Sequence, residues 1–181
     1  PLSASEKAGS RGAAAMRGLT PELVDTYKLG YAPEAWSELA TFFESKRVPV
    51  GPSEQLGLVK RRKTGDGYYD LFRHRLMFPI QDASGRVIAF GGRILSDANT
   101  DAGQAKYINS PEGLLFHKSS VLYAFHLARN EVSKRQSLII TEGYMDAIAL
   151  HEAGFGNTVA TLGTALTAQH ITLLRRLSPQ I

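Results

Sequence analysis

The stretch "LIITEGYMDAIALHEAGFGNTVATLGTALT", residues 138–167, holds the change of period that decides the fold. Residues 137–141 are an apolar run ending at Glu142 and Gly143, the length and character of a buried strand. Residues 144–153 then take a helical pattern. "AGFGN" reads as a turn, 158–162 as a second strand, Gly163-Thr164 as a loop and 167–177 as a second helix. Strand–helix–strand–helix is the pattern of a parallel sheet covered by helices. Sites in such sheets lie outside the carboxyl ends of the strands. Glu142 falls there, and so does the loop Gly163-Thr164. Asp146 lies near the start of the following helix, where an acid also serves as a dipole partner.

Upstream the pattern differs. Thr20 is a good N-cap and Pro21 suits the first helical position, so a helix is expected to start there and to close before Gly30 and Pro33. In "PEAWSELATFFESK", Trp36, Leu39, Ala40 and Phe43 are spaced i, i+3, i+4 and i+7, which predicts one apolar helix face packed in the core. From residue 64 the runs become β-branched and aromatic, and strands are expected with a hairpin turn near 82–85. Pro79 inside such a run implies an edge or a bulge, and Gly91-Gly92 implies close approach to the backbone. A polar loop follows, in which Ser110-Pro111-Glu112 suits the cap of a short turn. A second amphipathic helix then carries Val121, Leu122, Phe125, Ala128 and Val132 on one side.

Composition bounds the function. The chain of 181 residues is 43% hydrophobic and 21% charged, ordinary for a globular protein with a core of its own. No apolar run reaches the roughly 20 residues that span a bilayer, and the first residues show no signal-peptide pattern. With no cysteine there is neither a disulfide nor a thiolate zinc site. The net charge of +4 is concentrated. Residues 60–75 carry Lys60, Arg61, Arg62, Lys63, Arg73 and Arg75 against Asp66 and Asp70, an excess equal to that of the whole chain. Aromatic residues lie among them, a mixture that suits a polyanion with flat bases as well as a solvated loop. Arg73 and Arg75, two apart, are expected to share a strand face. Arg93, Lys106, Tyr107, Asn109 and Lys118 complete a set of groups able to hold phosphates opposite carboxylates that hold a cation, the pairing that phosphoryl or nucleotidyl transfer needs. The five histidines show no ligand spacing and read as surface or packing residues.

"EGYMD" followed by "VATLGT" resembles the start of a toprim domain as found in bacterial replicative DNA primases of the DnaG type. "RGLTPELVDTYKLGYAP", "YDLFRHRLMFPIQDASGRVIAFGGRIL" and "KYINSPEGLLFHKSSVLY" are similar, in the same order, to the amino-terminal part of that family's RNA polymerase core. The resemblance runs from about residue 17 to the end.

Residues 1–16, which show little periodicity, are expected to be a frayed or truncated leader; the resemblance implies an α+β fold, with a mixed α/β amino-terminal subdomain over 17–135 and a partial toprim subdomain of parallel βαβα type over 136–181, with one sheet edge exposed. It implies synthesis of short RNA primers on single-stranded DNA from ribonucleoside triphosphates during replication, in the bacterial cytoplasm. Glu142 would be the toprim glutamate, organising Mg2+ (or Mn2+) or assisting proton transfer, and Asp146 would line the same site. Arg73, Arg75, Arg93, Lys106, Tyr107, Asn109 and Lys118, with Arg17, would hold template backbone or nucleotide phosphates. Zinc belongs to an amino-terminal module outside this chain, and the replicative helicase is contacted through a carboxyl-terminal one. The family's further acids are also outside it, so these residues by themselves are expected not to make primer. The competing readings are another toprim enzyme such as a topoisomerase or nuclease, a phage-type primase–helicase, and a non-catalytic single-stranded-DNA-binding module.

Overall fold

Thr20 and Pro21 start α1 (Pro21–Tyr27) as their residue types require: the Thr20 hydroxyl accepts the Leu23 N–H at 3.4 Å. The computed structural model describes residues 9, 12–15, 18–95 and 105–177. Within them the chain forms two compact units, Pro1–Phe78 with Phe90–Gly113, and Pro79–Ala89 with Leu114–Ile181.

The first unit is built on a sheet. After β1 (Gly30–Ala32) come two short helices, α2 (Glu38–Ser45) and α3 (Val50–Gln55), and the antiparallel hairpin of β2 (Val59–Arg61) and β3 (Tyr68–Asp70). β4 (Arg75–Gln81), β5 (Val87–Ile94) and β6 (Tyr107–Asn109) join β1 in a four-stranded sheet of order β1-β4-β5-β6. The turn expected near 82–85 is present. The Asp82 carboxylate accepts the N–H groups of Ser84 and Arg86 at 2.8 and 3.0 Å, and Gly85 takes φ +80°. The hairpin tip, 79–89, belongs to the second unit. Pro79 sits in β4 beyond residues 75–77, the only stretch that β1 pairs, so its missing N–H removes nothing from that ladder.

The second unit contains α4 (Phe125–Arg135), β7 (Ile139–Thr141), α5 (Tyr144–Glu152), β8 (Thr158–Ala160) and α6 (Ala168–Leu174). β7 and β8 are parallel, with Ile139 opposite Thr158 and Thr141 opposite Ala160, as the strand–helix–strand pattern predicted. The far side of β8 is taken by Tyr123, which exchanges backbone hydrogen bonds of 2.8 and 3.2 Å with Ala160. Among the described residues no strand pairs with the outer edge of β7, and Ile140 there is 38% exposed. The core joins Leu122, Phe125, Ala128 and Val132 to Val159 and Leu174. Burying each large aliphatic side chain is worth roughly 1.5–3 kcal/mol. This packing places α4 in the second compact unit, which takes up the chain again from Leu114.

One core expectation fails. Helix α2 begins only at Glu38, which leaves Trp36 outside it and 66% exposed; of the four residues on the expected apolar face only Ala40 is buried. The i, i+3, i+4 spacing began two residues too early, before the chain had turned into the helix.

Candidate nucleic-acid interface and acidic site

Why Trp36 stays outside is explained by Asp70. Its buried carboxylate accepts the N–H groups of Leu39 and Ala40 at 2.8 and 3.0 Å, satisfying the open donors of α2 from a neighbouring strand, while Ser37 makes no side-chain cap. The Asp70 N–H donates to the Trp36 carbonyl at 2.8 Å, and the Asp70 carbonyl accepts Nη1 of Arg73. Arg73 therefore lies over the Trp36 ring, 4.4 Å from its centroid, and 5.6 Å from that of Tyr69; the two rings meet edge-on at 6.1 Å. A cation stacked on exposed aromatic faces is the surface that unpaired bases and a phosphate backbone both fit. Trp36 was missed as a site residue because its helical spacing imitates a core position. A cavity of about 440 Å³ beside it is lined by Trp36, Glu38, Thr41 and Phe42.

Arg73 and Arg75 do not share a face. β4 starts at Arg75, and between the two His74 takes φ +51°, a left-handed kink that redirects the chain. Arg75 is 4% exposed and donates to the carbonyls of Gly92, Lys106 and Ala105 at 3.0–3.3 Å. Burial and the neighbouring Arg73 hold its guanidinium below its usual basicity. The groove reading of Arg75 is therefore corrected: it ties β4 to β5 and the approach to β6. The close approach predicted by Gly91-Gly92 has the same source. A Cβ on Gly92 would lie 2.7 Å from Phe72 Cδ1 and 3.0 Å from Arg75 Cδ, so only glycine admits them.

The opposite face of β5 and β6 carries the rest of the cationic set. Arg93 pairs across the strands with Tyr107, and Gly91 with Asn109, so Arg93, Tyr107 and Asn109 share one side. The Arg93 guanidinium lies 5.5 Å from the Tyr107 ring centroid, and its Nε is buried without a partner among the described residues. The rest of the Arg93 side chain is half-buried beside the Tyr107 ring, where a guanidinium suits an anionic oxygen. Lys106 is exposed beside them. Lys60, Arg61, Arg62 and Lys63 are all exposed along the β2–β3 hairpin, with Arg61 against Tyr68. Arg17 lies outside the described residues.

In the second unit, Glu142 directly follows β7 and Asp146 sits in the first turn of α5. Both are exposed, and the Asp146 carboxylate folds back so that a Cβ on Gly143 would meet its Oδ2 at 2.9 Å. Beside them the ladder continues one step, with the Thr161 N–H donating to the Thr141 carbonyl at 2.9 Å. That step brings loop 161–167 to the same edge, where Gly163 has φ +77° and the Thr164 hydroxyl is buried without a partner among the described residues. Two exposed hard oxygen donors suit Mg2+, which commonly takes one or two carboxylates and completes its shell with water and substrate phosphates. No group of three possible ligands exists among the described residues. Lys118 is half-buried in the turn before α4.

A family model described as DNA primase catalytic core, N-terminal domain, matches residues 2–129. The chain belongs to this DNA primase core family. A toprim-domain model matches residues 136–180, in keeping with the parallel β7–β8 pair and the α+β class. The DNA primase of a Synechocystis strain is 47% identical over 163 residues, 90% of this chain and 25% of that protein. Among solved structures, the E. coli primase catalytic core is similar at 39% identity and a TM-score of 0.82, covering 94% of this chain and 53% of that one. A DnaG primase catalytic domain bound to single-stranded DNA is similar at 36% identity and a TM-score of 0.81, with 96% and 56% covered. The chain thus spans about a quarter of the length of the curated relatives it matches. Among the described residues no helix is long and apolar enough to cross a membrane.

Proposed function

We propose that this chain serves a DNA primase, supplying template and nucleotide contacts for RNA primer synthesis on single-stranded DNA. The observation that carries the reading is Glu142: an exposed carboxylate just past a parallel strand, with the Asp146 carboxylate turned toward its neighbour Gly143, in a chain of the primase core family. In this reading Glu142 and Asp146 hold a divalent cation, Mg2+ or Mn2+, which when bound neutralises charge on the reacting phosphates. Lys118 holds nucleotide phosphates from the same unit. The first unit serves the template: Arg73, Trp36 and Tyr69 stack a base and bind a phosphate, while Arg93, Lys106, Tyr107 and Asn109 follow the backbone. The related catalytic domain bound to single-stranded DNA supports that partner. The primer 3′-hydroxyl attacks the α-phosphate of a ribonucleoside triphosphate, a phosphodiester forms, and pyrophosphate leaves with the broken α–β linkage.

The test is primer synthesis on a single-stranded template by the full gene product, with Glu142→Gln beside the wild type. The substitution keeps size and polarity and removes the charge. Loss of synthesis by two orders of magnitude or more, about 3 kcal/mol of barrier, is expected; a variant that primes normally would make the carboxylate structural.

A further inference from the structure

His170 is fully buried, and both ring nitrogens are engaged. Its Nδ1 accepts the Thr167 N–H at 3.3 Å, while its own N–H donates to Thr167 Oγ1 at 3.1 Å, closing a capping box at the start of α6. Its Nε2 lies 2.8 Å from the Lys118 carbonyl and 3.2 Å from that of Val121. Both partners are acceptors, so Nε2 carries the proton. The Thr167 hydroxyl in turn donates to the Ser119 carbonyl at 2.5 Å. Three of the four carbonyls of 118–121 are thereby held by one helix start, and that start ends the loop, 161–167, which opens beside Thr141 at the acidic edge. Apolar burial of Phe116 and Leu122 fixes the ends of this segment and leaves its polar middle to be set by Thr167 and His170.

A capping box alone needs only an acceptor at this position; glutamate or glutamine supplies one. Histidine adds a second function on the same rigid plane, a donor pointing away from the helix. We propose that His170 is a positioning residue for nucleotide recognition: its Nε2–H fixes the backbone of Lys118 and so aims that side chain at the triphosphate. The proposal rests on the reading of Lys118 as a phosphate ligand.

Two isosteres separate the two ring functions. Asparagine at 170 places its amide oxygen where Nδ1 lies and keeps the capping box while losing the reach to Lys118. Glutamine places its amide nitrogen where Nε2 lies and keeps the bond to the Lys118 carbonyl. Mg2+-ATP affinity is measured by calorimetric titration for wild type, His170→Asn, His170→Gln, Lys118→Ala and the double variant His170→Asn/Lys118→Ala, with thermal melting to confirm folding. His170→Asn is expected to weaken binding about threefold or more. His170→Gln is expected to bind like the wild type, and His170→Asn to have no further effect once Lys118 is alanine. Should His170→Asn not fold, Thr167→Val takes its place in the cycle, because it releases the Ser119 carbonyl of the same segment. A variant that melts earlier but binds Mg2+-ATP as tightly overturns the proposal, as does additivity with Lys118→Ala. If Lys118→Ala leaves affinity unchanged, or the wild type does not bind, the phosphate reading of Lys118 itself has failed, and this inference with it.

Discussion

Asp70→Ala strikes the residue that organises the aromatic-cationic surface of the first unit. The carboxylate is buried and accepts two backbone N–H groups, of Leu39 and Ala40, at 2.8 and 3.0 Å. Bonds to a charged acceptor are worth about 1.5–3 kcal/mol each, and loss of an N-cap costs about 1 kcal/mol. The two bonds share one carboxylate and cap one helix, so they do not add in full; a loss of about 3 kcal/mol is expected. For a domain of this size that lowers Tm by about 6–12 °C. Asp70→Asn, with one carbonyl oxygen left, should lose about half as much. The assay is built into the chain. Trp36 is its only tryptophan, and its carbonyl is held by the Asp70 N–H, so fluorescence during urea unfolding reads this corner directly. The denaturation midpoint should fall at unchanged slope. The variant should also lose affinity for single-stranded DNA, since freeing the start of α2 releases the adjoining Trp36, on whose ring Arg73 stacks. A destabilisation below about 1 kcal/mol would refute the assignment of Asp70 as the cap that sets the position of Trp36.

Trp36→Ala should weaken binding of a labelled single-stranded oligonucleotide by about 1–3 kcal/mol, read by anisotropy, with the dependence on salt unchanged, because stacking and not charge is removed. Arg93→Ala and Lys106→Ala should each flatten the slope of log affinity against log salt by about 0.7, whereas a slope equal to the wild type's would return them to ordinary surface. Burial holds the His151 imidazole below its ordinary value, partly offset by the 2.8 Å bond of Nε2 to the Thr158 carbonyl. As pH falls below about 6.5 the unfolded chain takes up this proton before the folded one does, so the stability contributed by neutral His151 is complete above that pH and is lost below it. Replacing it in His151→Gln, which keeps a donor for Thr158, should reduce the fall in Tm between pH 7.5 and pH 5; an identical fall in both proteins would remove His151 as its source.

What the amino-acid order determined by itself is everything that depends on neighbours in sequence. Thr20 and Pro21 start a helix because cap and ring act within one turn, Asp82 and Gly85 close their hairpin within five residues, and the apolar run before Glu142 with the helical period after it requires a carboxylate at the carboxyl end of a strand. The motif order carried the family for the same reason. Tertiary structure alone decided which of those side chains are available. Arg75 and Arg93 look alike in sequence, yet a left-handed residue at His74 and a missing Cβ at Gly92 leave the first buried and bonded to three carbonyls, while the second is half-buried against the Tyr107 ring. Trp36 has the spacing of a core residue, and an acid 34 positions later caps the helix behind it and leaves it exposed. His170 shows no ligand spacing because its partners lie about 50 residues upstream. Hydrogen bonds and charges act over a few ångströms of space, and in a folded chain those few ångströms are set by residues that periodicity, which reads only along the chain, cannot bring together.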